Sequence, residues 1–150
     1  MTLLRSLIAI LIASLSGCLV ASADSDDVLD IGQLTVRVAD PVSISDHQEV
    51  ADFDIVRISL NGEVVAGFYA GNHPSFKAEA IQSQCEGGGS VQLFRSTDDS
   101  ADKVDFLIVS DNQWPSDVHF WVNSKSEIAN LSSSIEFEFE NGGICRLPPN

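Results

Sequence analysis

Three histidines, three cysteines and several groups of carboxylates are the side chains of this sequence best placed to do chemistry. His73 stands in the corner Gly71-Asn72-His73-Pro74. Glycine and asparagine tolerate positive φ, and proline fixes φ and pushes the residue before it extended. Such a corner would present an imidazole rigidly on a loop, where binding residues tend to sit. A plain turn also explains the glycine, asparagine and proline, with the histidine incidental. His119 and Trp121 alternate onto one side of "VHFWV" (118–122), beside Trp114 at the preceding turn. On an open face they would form an aromatic patch with a titratable group, suited to a sugar ring or a partner protein. Under a covering helix they would be core.

Glu136, Glu138 and Glu140 recur every second residue and so share one strand face. Such a stripe could meet a cationic partner, or simply protect an edge strand from aggregation by charge. It does not provide the two carboxylates of unequal pKa across a cleft that glycoside hydrolysis needs. Asp98, Asp99 and Asp102 offer oxygen ligands, but not the loop pattern and distal glutamate of an EF-hand. The histidines are isolated along the chain and no zinc-ligand spacing occurs, so neither a metal nor a cofactor is expected. There is no Gly-x-Ser-x-Gly elbow and no phosphate loop. No residue is therefore assigned a catalytic role.

The export signal sets the redox setting of the cysteines. Arg5 precedes the apolar run Leu7 to Ala13, and small residues follow, the layout of a secretory leader over residues 1–23. The apolar run is too short for a membrane-spanning helix. Ala21-Ser22-Ala23 is a small-x-small cleavage site for release. Leu15-Ser16-Gly17-Cys18 resembles the lipobox of bacterial lipoproteins, which implies lipidation of Cys18 and cleavage before it. Both routes give an exported protein, periplasmic or anchored to the envelope. Cys85 and Cys145 then most simply form a disulfide. A reactive thiol would need a basic or helix-N-terminal setting, whereas Glu86 and three glycines follow Cys85.

The elements that must position these residues read as mainly β. Residues 24–33 are an acidic lead-in, and 34–150 form one domain. "LTVRVAD" (34–40) alternates as a half-buried strand ended by Pro41, and 43–52 read as a polar connection. "FDIVRISL-NG-EVVAGFYAG" is a hairpin closed by Asn61-Gly62, with Val56, Ile58 and Leu60 on the core side. Residues 76–85 fit a short helix or a strand, and Phe76 fits a core plug. Strands are expected at 90–96, 104–110 and 118–122. Ser124 and Glu127 make a capping box ahead of Ile128, Leu131 and Ile135 on one helical face. "IEFEFE", Asn141-Gly142 and "GICRL" make a second hairpin. Seven or eight strands and one helix fit an α+β fold with an antiparallel sheet, the alternative being an all-β sandwich.

Pieces of the chain, "P-x-x-VHFWV", the following "SSI" and "DFDI…FYAGNHPSF", resemble small, largely uncharacterised exported bacterial proteins. The resemblance covers about half of the mature chain. It implies a small secreted α+β domain and carries no activity. The chain has 22 acids against eight Lys and Arg, a formal net charge of −14. That disfavours nucleic acid and unaided attachment to anionic membranes, leaving a lipid on Cys18 as the route to a membrane. It suits a basic envelope or secreted protein as partner. The chain is thus expected to be an exported, disulfide-stapled binding or inhibitor-like domain. A small hydrolase using His73 or His119, and a structural envelope lipoprotein, are the alternatives.

Overall fold

The computed structural model describes residues 26–72, 81–87, 91–95 and 102–148. Eleven strands are found among them: β1 (Asp27–Ile31), β2 (Leu34–Val38), β3 (Val42–Val50), β4 (Phe53–Leu60), β5 (Glu63–Gly71), β6 (Ile81–Gln84), β7 (Val91–Arg95), β8 (Val104–Ser110), β9 (Asp117–Val122), β10 (Ile135–Phe139) and β11 (Ile144–Arg146). A 3-10 turn (Lys125–Glu127) leads into the helix α1 (Ile128–Ser134). The strands form two antiparallel sheets, one ordered β1-β2-β10-β11 and the other β3-β4-β5-β9-β8-β7-β6. The fold is therefore mostly antiparallel sheet, as expected.

Strand periodicity explains the layers. Leu34, Val36 and Val38 on β2 and Ile135, Phe137 and Phe139 on β10 point to one side and are buried. Val118, Phe120 and Val122 on β9 and Val56 and Ile58 on β4 do the same from the larger sheet. All belong to one hydrophobic core. Phe137 of the smaller sheet meets Phe68 and Phe120 of the larger one edge-to-face, at 5.6 and 5.8 Å between ring centroids. Edge-to-face contact is the favoured geometry for aromatic quadrupoles.

The helix does not form a layer. Its seven residues bury Ile128, Leu131 and Ser134, the first two as members of the core, and contact β3. The antiparallel sheet of the α+β expectation is present, while its helical part rests on this one short helix, which cannot cover a seven-stranded sheet. Ser124 is the N-cap, but its side chain accepts from the Ser126 amide at 3.4 Å. Glu127 accepts from Asn130 rather than reaching back to the cap, so the capping box is only half built. Ile135 has left the helix and opens β10.

Three further expectations change. The acidic lead-in holds β1, whose Leu29 and Ile31 pair across to Val36 and Leu34. The polar connection 43–52 holds β3, which among the described residues is an edge strand paired only with β4. Edge strands bury few side chains, so hydrophobic alternation is weak there. The ambiguous segment 76–85 resolves into strand over Ile81–Gln84, and Phe76 lies outside the described residues. The Asn61-Gly62 hairpin forms as expected, with φ of 53° and 83° at the two turn residues.

Cys85 and Cys145 are disulfide-bonded with Cα atoms 4.7 Å apart. Beside the bond, Glu86 and Ile144 exchange backbone hydrogen bonds of 2.9 and 2.7 Å. The edge of the larger sheet at β6 is thereby tied to β11 of the smaller one.

Candidate functional site

At one end of the two sheets, three turns leave a cleft of about 460 Å³. The β1–β2 turn brings Asp30, Ile31 and Gly32; the β3–β4 turn brings Glu49 to Ala51 with Phe53 and Asp54; the β8–β9 turn brings Trp114. Three carboxylates and two aromatic rings line it, and no cation is among the described lining residues.

Each wall has a local cause. Gln33 holds the Trp114 backbone from both sides, donating its amide to the Trp114 carbonyl at 2.7 Å and accepting from the Trp114 amide at 3.1 Å. The Trp114 ring then lies across Gly32, where an added Cβ would come within 2.2 Å of a ring carbon. Gly32 also has φ +57°, so both backbone and packing require glycine. Gly32→Ala should therefore destabilise the fold by more than about 1 kcal/mol. It should also perturb the near-ultraviolet circular dichroism of the tryptophans, and an unchanged spectrum and midpoint would contradict this packing.

The β3–β4 hairpin supplies Glu49, Val50, Ala51, Phe53 and Asp54 to the lining. His47 and Glu49 are two residues apart on β3, and Asp54 is the cross-strand partner of Glu49. All three side chains therefore project from the same face. His47 Nε2 and Asp54 Oδ1 are 2.7 Å apart, with Asp54 5% exposed and the His47 side chain 25% exposed. Sequence reasoning missed this group, because it placed 43–52 in a connection. The signal was "HQEVADFD", where His47, Glu49 and Asp54 alternate correctly for a hairpin once a tight turn is placed at Ala51-Asp52.

The residues singled out from the sequence are scattered over the molecule. Trp114 lines the cleft. His119 and Trp121 lie on the outer face of the larger sheet, each partly exposed and opposite the buried row of β9. The helix packs beside β3 and does not remove them from solvent. His119 Nε2 is 3.0 Å from Asp105 Oδ1, which also pairs with Lys103 at 3.2 Å. Trp121 lies flat over Gly67, where an added Cβ would sit 2.5 Å from its ring, and meets His119 edge-on at 6.1 Å. An aromatic ring laid over a cross-strand glycine shields backbone that a side chain would otherwise cover.

The glutamate stripe is engaged with groups of its own sheet. Glu136 pairs with Arg146, Glu138 accepts from Arg37 at 3.2 Å, and Glu140 accepts from Gln33 at 2.8 Å. Arg146 also reaches Glu86 at 3.0 Å. Its pKa is raised by the hydrogen bond and charge of Glu136, then by those of Glu86, so it stays cationic. Arg37 and Arg146 offset two of the stripe's charges, whereas Glu140 has only the neutral Gln33, and the cleft has no cation among its described lining residues. Cys18, His73, Asp98 and Asp99 lie outside the described residues, and Asp102 is exposed.

The fold and cleft define a disulfide-stapled protein of two antiparallel sheets. No family model, curated protein or solved structure matches this chain. Among the described residues no helix is long and apolar enough to cross a membrane.

Proposed function

We propose that this chain is a small exported binding domain of the bacterial envelope that recognises a basic partner. The observation that carries the reading is the cleft, with Asp30, Glu49 and Asp54 beside the Phe53 and Trp114 rings. Carboxylates attract an ammonium or guanidinium group, and an aromatic wall adds a cation–π contact worth about 0.5–2 kcal/mol. A lysine or arginine side chain projecting from a partner protein matches that chemistry and size. The net charge of −14 would speed the encounter and make it sensitive to salt.

The disulfide accords with an oxidising compartment. Export itself, through release after Ala23 or through a lipid on Cys18, is part of this proposal. Mass spectrometry of the mature N-terminus decides between the two routes: a diacylated Cys18 marks the lipoprotein, and an unmodified chain starting at Asp24 the released form.

Titration with an oligo-arginine peptide, with an oligo-glutamate peptide as control, tests the binding site. Binding should weaken about tenfold in Trp114→Ala or Glu49→Gln, the loss of roughly 1.4 kcal/mol. Equal affinity of wild type and both variants would place any binding elsewhere and sink the cleft reading. A second reading follows from the His119–Asp105 pair on the open face, which has the base and orienting carboxylate of a hydrolase. It predicts turnover of an ester or glycoside panel that His119→Ala abolishes without lowering stability.

A further inference from the structure

We propose that His47, Glu49 and Asp54 form a site for a divalent transition-metal ion of the zinc class beside the cleft, which Glu49 and Asp54 line. The inference rests on the cleft as a cation-binding site and names a second kind of occupant for it.

The geometry comes from the β3–β4 hairpin. Alternation puts His47 and Glu49 on one face of β3, and register puts Asp54 directly opposite Glu49. One ligand atom from each of the three residues lies within 4.8 Å of the others. Ligands on a tetrahedral zinc sphere, with bonds of about 2.0–2.2 Å, stand about 3.4 Å apart. Ligation needs two adjustments: the exposed Glu49 side chain turns in, and His47 Nε2 gives up the proton it shares with Asp54 Oδ1, 2.7 Å away, as the two atoms part to face the ion.

The donor set selects the ion. An imidazole nitrogen with two carboxylates suits zinc or manganese, whereas calcium and magnesium prefer all-oxygen shells. Two carboxylates and a neutral imidazole would balance a divalent charge. Asp54 is only 5% exposed, and an ion between it and His47 would take over the compensation that the imidazole gives it. The His47 ring supplies one contact, at Oδ1. Glu49 brings a third ligand atom within 4.8 Å of those of the His47–Asp54 pair. Three protein ligands leave a further coordination position for water or for a group entering the cleft.

The test uses the untagged, oxidised mature protein, stripped of metal with a chelator. Zinc is titrated calorimetrically, with magnesium as the control for general attraction to acids, and the histidine ring signals are followed by NMR. One equivalent should bind, shifting the His47 signals and raising the unfolding midpoint. Glu49→Gln should weaken binding about tenfold or more and His47→Ala should abolish it, while both variants stay folded. Absence of saturable zinc binding, or binding that Glu49→Gln leaves unchanged, overturns the site. If zinc fails while oligo-arginine binding still depends on Trp114, the metal inference falls alone. Loss of that Trp114 dependence defeats the cleft reading separately.

Discussion

Phe137→Ala is expected to lower stability by about 3–5 kcal/mol, the usual cost of emptying a phenylalanine site in a core. Phe137 is fully buried and belongs to the smaller sheet, while the two rings it meets, Phe68 and Phe120, belong to the larger. The cavity would therefore open between the layers, where backbone hydrogen bonding resists collapse of either sheet into the gap. Domains of this size have about 5–15 kcal/mol in total, so the variant should be strongly destabilised, with its midpoint lowered by about 10–20 °C. Phe137→Leu keeps most of the volume and should lose clearly less. Urea unfolding followed by circular dichroism measures both. A loss under about 1 kcal/mol in Phe137→Ala would mean that the sheets do not pack through this ring.

Removing the disulfide is expected to cost about 4 kcal/mol, through a different state of the chain. Cys85 and Cys145 are 60 residues apart, and closing a loop of that length restricts the unfolded ensemble by about this amount in the chain-entropy model. The Cys85→Ser, Cys145→Ser double variant and the reduced wild type should unfold at similar, much lower urea concentrations. Coincident curves for oxidised and reduced wild type would show that the bond constrains nothing. Cys145 is the cross-strand partner of Phe137. The two perturbations are thus neighbours, and their combined cost should depart from the sum of the separate ones.

Much of the fold was legible because strong local signals coincided. Asn61-Gly62 between two β-prone runs could hardly be anything but a tight hairpin. The Val118, Phe120 and Val122 row and the Phe137, Phe139 row showed their buried faces directly. The disulfide followed from two cysteines in a chain read as exported. What escaped was weakly patterned. Edge strand β3 carries Asp46, His47, Gln48 and Glu49 in succession, because a strand with a single neighbour has little to bury. β1 was hidden by acids for the same reason, as among the described strands it borders only β2. The helical period at 124–135 was real, but only seven of those residues are α-helical, and Ile135 serves a strand.

The candidate site shows the division most clearly. Composition determined the acidic character, but of Trp114, His47, Glu49 and Asp54 only Trp114 stood out in the sequence. Their convergence was decided by the register of β3 on β4 and by Gln33 pulling the β8–β9 turn over Gly32. The same holds for the glutamate stripe. Alternation set its three carboxylates on one face, but only the pairing of β10 with β2 and β11 brought Arg37 and Arg146 against them. Periodicity is a property of a single strand and is written in adjacent residues. Convergence depends on which strands become neighbours, and that is settled by burial of the whole core against water rather than by any one segment.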